Sequence, residues 1–369
     1  MSINDAKVLE VLGLFAVEGE YSHCEVIQSG HINETYRVYV KRDGMLKDYI
    51  LQRVNTYVFK DPIGVMDNIS KVTEYIRAKI KATGISAKRY VLHYNLSKDG
   101  KYYAISPDGG FWRCCRFIDD SVSFMTADST ELAEESGIAF GEFQVYLADY
   151  PVPDLNIVIP HFHNTVNRYK IFKEAVENDF AGRKAEAQEL IDGYLALEEL
   201  ATKLYRLQRA GEVPLRVTHN DTKTSNVLFD AHDHKHLSVI DLDTVMPGLM
   251  AFDFGDAIRV VGCTCGEDET DEAKINVDME KYEAFTRGFV GKVREMMTEK
   301  ENETLALGAF AMTVECGVRF LSDYLDGDKY FRVHYPTQNY DRARCHLIFA
   351  RKMMERLEEM QEIVYKYSK

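Results

Sequence analysis

The chain has 369 residues, of which 46 % are hydrophobic, 28 % charged and 11 % aromatic, the proportions of a globular protein with two or three structural units. Its 45 lysines and arginines against 59 aspartates and glutamates give a net charge of −14. These values exclude a disordered chain and a small disulfide scaffold, and they predict no general nucleic-acid surface, because phosphates would be repelled.

The segment over residues 11–17 is the apolar run nearest the N-terminus. It is short and lacks a basic leader and a small-residue cleavage signal, so it predicts part of an amphipathic helix. No stretch approaches the ~18 uninterrupted apolar residues that cross a bilayer. The seven cysteines form no Cys-x-x-Cys unit, which favours free thiols. We therefore expect a soluble, cytoplasmic protein with no membrane partner.

Short alternating segments dominate the first 117 residues and predict a small antiparallel sheet. The pattern predicts a turn at Asp43-Gly44 and a first helix over residues 4–17. A second helix is predicted over 67–80, where the apolar residues share one face. The predicted strands are 25–28, 35–40, 49–54, 90–96, 102–106 and 111–117.

Long helical periodicity dominates the rest of the chain. The predicted helices are 131–150, 183–210, 278–300, 304–325 and 341–367. A non-helical island over residues 211–262 interrupts them and holds strand-like runs at 226–230 and 237–241. The predicted class is α+β, resembling the two-lobed protein-kinase layout: a small N-terminal β-sheet lobe with one helix, residues 1–117, and a large helical C-terminal lobe, residues 118–369. The hinge is expected near residues 116–120.

The island carries a constellation of carboxylates and amides. His219 and Asp221 form a His-x-Asp unit, and Asn226 follows five residues after Asp221. This is the spacing of a kinase catalytic loop, in which the Asp meets the acceptor hydroxyl and the Asn reaches a metal ion. Asp241 ends an apolar strand 15 residues after Asn226, where a carboxylate can bind Mg²⁺. The alternative, turn-forming residues beside short strands, explains each residue singly but not their common order.

The tripeptide Asp253-Phe254-Gly255 spells the metal-binding motif of eukaryotic protein kinases. It lies 12 residues after the better placed Asp241. We therefore predict that Asp253 is a structural carboxylate that hydrogen-bonds the catalytic loop.

These residues also carry a family likeness. The run from His219 to Leu228, the acidic strand end at Asp241 and Asp253 beyond it resemble the aminoglycoside phosphotransferase and choline kinase superfamily. More narrowly, five segments resemble N-acetylhexosamine 1-kinases: Gly30-His31-Ile32-Asn33, Tyr49-Ile50-Leu51-Gln52, Arg216 to Lys223, Asp241 to Gly248, and Glu315 to Leu321.

The resemblance implies ATP- and Mg²⁺-dependent phosphorylation of the anomeric hydroxyl of N-acetylglucosamine or N-acetylgalactosamine. It implies that Asp221 is the catalytic base, which also contacts the sugar, and that Asn226 and Asp241 are the Mg²⁺ ligands. It further implies sugar contacts from His31, Asn33, Arg319 and Tyr330. Planar donors and a phenol hydroxyl suit the ring and N-acetyl oxygens of a hexosamine. An alternative for Arg319 is an ion pair with Glu315 on the same helix.

The expected nucleotide positions depart from the protein-kinase pattern. Gln52 stands where protein kinases place a third-strand Lys, and Arg53 should point to the opposite face of the strand. The loop over residues 29–33 has one glycine, so no glycine-rich turn can cradle phosphates there. The predicted nucleotide contacts are Gly30, Gln52, Phe117 and Ile118.

Other functions remain open at the level of the sequence. The same machinery could phosphorylate choline, ethanolamine, homoserine or an aminoglycoside, although Arg319 disfavours a cationic acceptor. Gln52 would suit a catalytically silent pseudokinase. The pair His161 and His163 could direct two side chains to a metal, but a surface or packing role is favoured. We expect a monomer or weak homo-oligomer whose partners are the sugar and the nucleotide.

Overall fold

The computed structural model of the chain describes residues 3–28 and 32–369, which form eleven α-helices and ten β-strands. Five strands make one antiparallel sheet in the order β1-β2-β3-β5-β4. They are β1 (Glu20–Ile27), β2 (Glu34–Arg42), β3 (Met45–Arg53), β4 (Ala104–Ile105) and β5 (Phe111–Arg116). Two helices flank this sheet, α1 (Ile3–Leu12) and α2 (Pro62–Ala82).

The predicted turn at Asp43-Gly44 is confirmed. It joins β2 to β3 with Arg42 opposite Met45, and both turn residues have positive φ, 51° and 79°. A two-residue hairpin needs this left-handed pair to match the twist of its strands, and Asp-Gly supplies it at little cost. The turn fixes the register that sets Gln52 opposite Thr35.

The two faces of the sheet bury different helices. Leu51 and Trp112 pack with Val11 of α1 on one face. Phe111 and Cys115 belong to the other face, in a cluster with α2 that extends into the C-terminal half. Since side chains alternate along a strand, Arg113 lies on the α2 face, toward the cleft between the halves.

The predicted strand over residues 90–96 is wrong. This segment is irregular and makes one isolated bridge, Tyr94 with Cys115. Its alternating apolar residues are nevertheless buried, Val91 at 5 % and Tyr94 at 4 % exposure. The pattern therefore predicted burial correctly. The segment also hydrogen-bonds the end of β5, from Asn95 N–H to the Cys114 carbonyl at 2.8 Å and from Arg116 N–H to the His93 carbonyl at 2.9 Å, but this pairing is too short to form a strand.

The remaining helices form the C-terminal half. They are α3 (Thr130–Tyr146), α4 (Thr165–Asn178), α5 (Gln188–Ala201), α6 (Lys203–Arg209), α7 (Met250–Val261), α8 (Met279–Val293), α9 (Glu299–Asp326), α10 (Gln338–Glu355) and α11 (Leu357–Ser368). The central α9 begins at a capping box of Thr298 and Glu301 and ends at left-handed Gly327. It is long and apolar enough to cross a membrane, but 89 % of its most apolar stretch is buried inside this fold.

Two helices escaped the periodicity analysis for opposite reasons. In α7, ten of twelve residues are buried, so no polar stripe marks the helix. In α4 only four residues are buried, which is a faint apolar stripe. Two predicted long helices are each broken in two, at Thr202 between α5 and α6 and at Arg356 between α10 and α11.

Five further short strands follow, one shortly after the N-terminal sheet and four in the island over residues 211–262. They are β6 (Ser121–Val122), β7 (Arg216–Thr218), β8 (Val227–Asp230), β9 (His236–Val239) and β10 (Met246–Gly248), paired as β6-β8-β9 and β10-β7. The chain thus enters a second sheet four residues after β5 ends. The boundary between residues 117 and 118 stays a prediction.

Candidate active site

Helix α7 holds the catalytic loop, residues 219–226, through hydrogen bonds from the loop to Asp253. The Asp253 carboxylate accepts the backbone N–H of His219 at 2.9 Å and that of Asn220 at 2.7 Å, and it accepts the Gln144 amide at 2.6 Å. Asp253 is buried, and burial raises its pKa. Thr222 adds a bond from its hydroxyl to the Asp253 carbonyl. The predicted structural role of Asp253 is confirmed.

His219 joins the catalytic loop to the strand end that carries Asp241. Its Nε2 lies 2.9 Å from the carbonyl of Ile240, and its Nδ1 lies 3.2 Å from the backbone N–H of Asp221. These partners require N–H on Nε2 and a lone pair on Nδ1, so the ring is neutral and its tautomer is fixed. The fully buried ring thereby spaces Asp221 from Asp241.

Asp221 is partly exposed, and its carboxylate has two close partners. The Asn226 amide donates to Oδ2 at 3.0 Å and to the Asp221 carbonyl at 2.8 Å, and Lys223 Nζ lies 3.1 Å from Oδ2. Partial burial disfavours the Lys223 charge, but the surrounding carboxylates, Asp221 foremost, outweigh it and raise the pKa of Lys223. Lys223 was not among the predicted site residues, although it stands two residues after the proposed base.

Asp241 lies beside Asn226 because β8 and β9 pair. Val227 faces Val239, and the Ile240 N–H donates to the Asn226 carbonyl at 2.9 Å. Asp241 has left-handed backbone, φ 59°. Its carboxylate is reachable from the cleft yet enclosed by protein, and this desolvation, with the charges of Asp243 and Asp221, raises its pKa to about 6.

This donor set fits a hard divalent cation. Asn226 uses its Nδ2 on Asp221, which leaves Oδ1 as the ligating atom, and Asp241 supplies a carboxylate among like charges. Across residues 3–28 and 32–369, no group of three or more His, Cys, Asp or Glu side chains is arranged to hold a metal. A cation held by Asn226 and Asp241 would therefore complete its coordination with substrate phosphates and water.

A buried arginine ties this site to the N-terminal sheet. The Arg113 guanidinium, 2 % exposed, forms a forked pair with the Asp243 carboxylate, and its Nε donates to Gln52 Oε1 at 3.0 Å. Gln52 and Arg113 are cross-strand partners on β3 and β5. Arg113 thus supplies a cation beside Gln52, the position at which protein kinases place the third-strand Lys. Arg113 was not predicted from the sequence, because strand pairing brings together two residues that are 61 apart in the chain.

Four of the predicted nucleotide and sugar contacts lie in or next to the N-terminal sheet. Gln52 uses its other end to donate to Thr35 Oγ1 at 3.0 Å, and Asn33 donates to Asp243 Oδ2 at 2.8 Å. Phe117 lies under the Arg37 guanidinium, and Ile118 is buried at the hinge. Gly30 and His31 lie outside the described residues. The structure therefore brings Gln52 and Asn33 to the metal-ligand strand end, and the ligand roles of all these residues stay predictions.

Arg319, near the end of α9, and Tyr330, in the segment after it, lie together. The Arg319 guanidinium stacks over Tyr330 at 5.9 Å and Phe331 at 5.3 Å. Asp323 holds this segment by accepting the backbone N–H of residues 329, 330 and 331. The alternative ion pair of Arg319 with Glu315 is wrong: among the described residues, Glu315 pairs with His163 at 3.3 Å and Arg168 at 3.5 Å.

The sequence model of the APH family, described as "Phosphotransferase enzyme family", matches residues 23–285. The chain belongs to this family. The match spans the sheet, the hinge, the catalytic loop and the Asp241 strand end.

Solved structures show that this phosphotransferase has the protein-kinase-like fold. It is similar to spectinomycin phosphotransferase in complex with ADP and spectinomycin, with 15 % identity, TM-score 0.54, and 100 % of this chain and 99 % of that chain covered. It is also similar to choline kinase from Cryptosporidium parvum Iowa II, with 12 % identity, TM-score 0.56, and 99 % of this chain and 99 % of that chain covered. A third similar structure is Plasmodium vivax ethanolamine kinase, with 15 % identity, TM-score 0.52, and 88 % of this chain and 82 % of that chain covered. The predicted α+β, two-lobed fold is confirmed.

Proposed function

We propose that this phosphotransferase transfers the γ-phosphoryl group of ATP, with Mg²⁺, to the anomeric hydroxyl of N-acetylglucosamine or N-acetylgalactosamine. The observation that carries the transfer chemistry is the assembly of Asp221, Lys223, Asn226 and Asp241 at one edge of the cleft. The family match supports phosphotransfer in general. The sugar assignment is supported by the resemblance of five segments to N-acetylhexosamine 1-kinases.

The surroundings of Arg319 support a neutral polyhydroxy acceptor. A partly exposed guanidinium over two aromatic rings offers planar donors beside an apolar face, which matches the two kinds of surface on a pyranose ring. A quaternary or primary ammonium would meet the positive charge of Arg319 instead of an aromatic cage. Glu315, one helical turn before Arg319, is linked through His163 to the catalytic loop.

In this mechanism Asp221 accepts a hydrogen bond from the anomeric hydroxyl and takes its proton as the bond to phosphorus forms. Asn226 holds the Asp221 carboxylate in one orientation, and Lys223 is placed to offset charge on the transferred group. Mg²⁺ on Asn226 and Asp241 would neutralise the triphosphate. Catalysis is therefore mostly positioning and electrostatic stabilisation.

The test is an acceptor panel. The protein is incubated with Mg-ATP and, separately, with N-acetylglucosamine, N-acetylgalactosamine, choline, ethanolamine, homoserine and an aminoglycoside, while ADP release is followed and the product is located by ³¹P NMR. We expect turnover with a hexosamine and an anomeric phosphate. Turnover confined to the amines would refute the sugar assignment, and no turnover with any acceptor would favour a pseudokinase.

A further inference from the structure

His163 is a buried histidine that the phosphoryl-transfer scheme does not use. It is 7 % exposed and lies between the rings of Phe162 and Phe252, with centroids 4.3 and 5.6 Å away. It belongs to a loop before α4 in which His161 and His163 both have left-handed backbone, φ 60° and 52°. Because neither residue is glycine, this left-handed backbone costs energy that contacts with the surrounding structure must offset.

Both ring nitrogens of His163 face oxygen acceptors. Nδ1 lies 3.3 Å from each carboxylate oxygen of Glu315 on α9, and Nε2 lies 3.1 Å from the backbone carbonyl of Asn220. A carbonyl and a carboxylate can only accept, so both bonds form only when both nitrogens carry a proton. A neutral ring would set one lone pair against an acceptor in a dry environment.

We propose that His163 is a positioning residue that is held as the imidazolium ion by Glu315 and fixes the Asn220-Asp221 peptide, and with it the catalytic base. The carbonyl it holds belongs to the residue immediately before Asp221. Asn220 itself is left-handed, φ 65°, and Asp253 already accepts its N–H, so His163 secures the opposite side of the same residue.

The two carboxylates near the ring, Glu315 and Asp256, favour this state, whereas the neighbouring arginines oppose it. Glu315 and Arg319 come from α9, Arg168 from α4, and Asp256 with its partner Arg259 from α7. Burial by itself would favour the neutral ring. The negative charge of Glu315, more than that of any other group, outweighs the effect of burial and raises the pKa of His163. Burial likewise opposes ionisation of Glu315, but His163 and the arginines outweigh it, and its pKa is lowered. The imidazolium that the two acceptors require is lost as the pH rises through the raised pKa.

Two amide substitutions separate the two bonds. In His163→Gln the amide nitrogen takes the place of Nε2 and can still reach the Asn220 carbonyl, whereas in His163→Asn it takes the place of Nδ1 and can reach only Glu315. Both remove the charge equally. We expect His163→Asn to lower kcat by about 10- to 100-fold, the worth of a hydrogen bond to a charged donor, with little change in the KM of Mg-ATP. His163→Gln should retain most of kcat at neutral pH.

The measurement is ADP release at saturating Mg-ATP, with sugar and also with water as the only acceptor, because the inference rests on the proposed role of Asp221 and not on the sugar. If no panel acceptor is phosphorylated, the ratio of the two variants in basal ATP hydrolysis still tests it. His161→Asn, at an exposed left-handed position in the same loop, is the matched control and should leave kcat unchanged. Equal loss in both His163 variants, or wild-type kcat in His163→Asn, would overturn the proposal.

A spectroscopic readout is independent of activity. Protein labelled with ¹⁵N-histidine should show, at pH 7.5, a signal from the His163 ring with both nitrogens protonated, where an ordinary histidine is mostly neutral, in addition to any such signal from His236, which also lies between two carboxylates. That signal should be absent from His163→Gln and present in His161→Asn. Wild-type kcat should also fall on the alkaline side, because the single proton of a neutral ring would stay on Nδ1 beside the Glu315 carboxylate and the Asn220 carbonyl would lose its donor. The kcat of His163→Gln should not fall. A neutral His163 ring at pH 7.5, or the same alkaline fall in both proteins, would refute the imidazolium.

Discussion

In the proposed mechanism, the Asp221 carboxylate is the group that exchanges a proton with the acceptor. Asp221→Asn keeps the size of the side chain but removes the basic oxygen. We expect kcat to fall by about 10²- to 10⁴-fold, while the dissociation constant of the sugar, measured calorimetrically, changes little. Asp99→Asn, in an exposed turn of the N-terminal half, is the control and should behave as wild type. Turnover within about tenfold of wild type in Asp221→Asn would remove Asp221 from the role of base.

Arg319 tests the acceptor site without touching the transfer chemistry. Arg319→Lys keeps the charge but loses the planar fork that stacks on Tyr330 and Phe331. The KM for the hexosamine should rise about tenfold or more, since a forked, charged donor is worth ~1.5–3 kcal/mol, and the KM for ATP should stay constant. Arg332→Lys, an exposed neighbour, is the matched control. An unchanged sugar KM would place the acceptor elsewhere.

Single residues were predictable where the chemistry is local in sequence. Asp221, Asn226 and Asp241 were found because one loop and one hairpin bring them together, so their spacing survives in the sequence. Arg113 was missed, and His163 was given only a surface or packing role, because their partners are 130 and 57 residues away. Nothing in the segment around either residue shows that its charge will be buried.

Among the elements, β5 and the loop after β9 are held together by the pair of Arg113 and Asp243. Removing one member of a buried pair leaves an uncompensated charge, which typically costs about 3–5 kcal/mol. Arg113→Met should lower the free energy of unfolding by that amount in a urea titration. The double variant Arg113→Met with Asp243→Asn should lose less than the two single variants summed. Arg116→Met, exposed on the same strand, should change little, and additivity in the double variant would contradict the coupling.

A second junction, between α3 and β9, predicts a pH dependence. His236 lies 2.8 Å from Glu135 and 3.1 Å from Glu142, and these carboxylates outweigh its burial and raise its pKa, while the pKa of Glu142 is lowered to about 2. A raised histidine pKa stabilises the fold below the unfolded value, ~6.5, and this contribution is lost as the pH rises through the folded value.

The corresponding measurement is the unfolding free energy of wild type and His236→Gln at pH values from 6 to 9. The difference between the two proteins should shrink as the pH rises. His232→Gln, exposed in the same hairpin, should follow the wild-type curve. A difference that is constant with pH would show that His236 is not protonated in the fold.

Helices were predictable from the sequence when a buried apolar face alternates with an exposed polar face. The amphipathic α2 and α9 were found, whereas the almost wholly buried α7 and the thinly buried α4 were not. The segment over residues 90–96 shows the converse error, because a strand needs an extended run of sheet pairing as well as an alternating pattern, and this segment pairs with β5 only around Tyr94. Such edges are settled by the whole sheet and not by any one segment.

For the whole molecule, a net charge of −14 predicts that nucleotide binding depends on the metal. The two cations nearest the site, Lys223 and Arg113, are already paired with Asp221 and Asp243. In EDTA the dissociation constant of ATP should rise at least about tenfold, because four phosphate charges would face unneutralised carboxylates. Adenosine, which lacks phosphates, should bind equally with and without Mg²⁺. The dissociation constants of ATP and adenosine are measured by calorimetry. ATP binding that does not depend on the metal would contradict the proposed site.

The left-handed backbone at Asn220 and Asp241 has a consequence for the history of the protein. Each conformation costs of order 1 kcal/mol in a residue other than glycine, and both residues border the site instead of the core. Selection for folding alone would favour glycine at Asp241, which would also relieve the crowding of three carboxylates. A lineage in which transfer activity is no longer needed should therefore lose Asp241 early and gain stability by losing it.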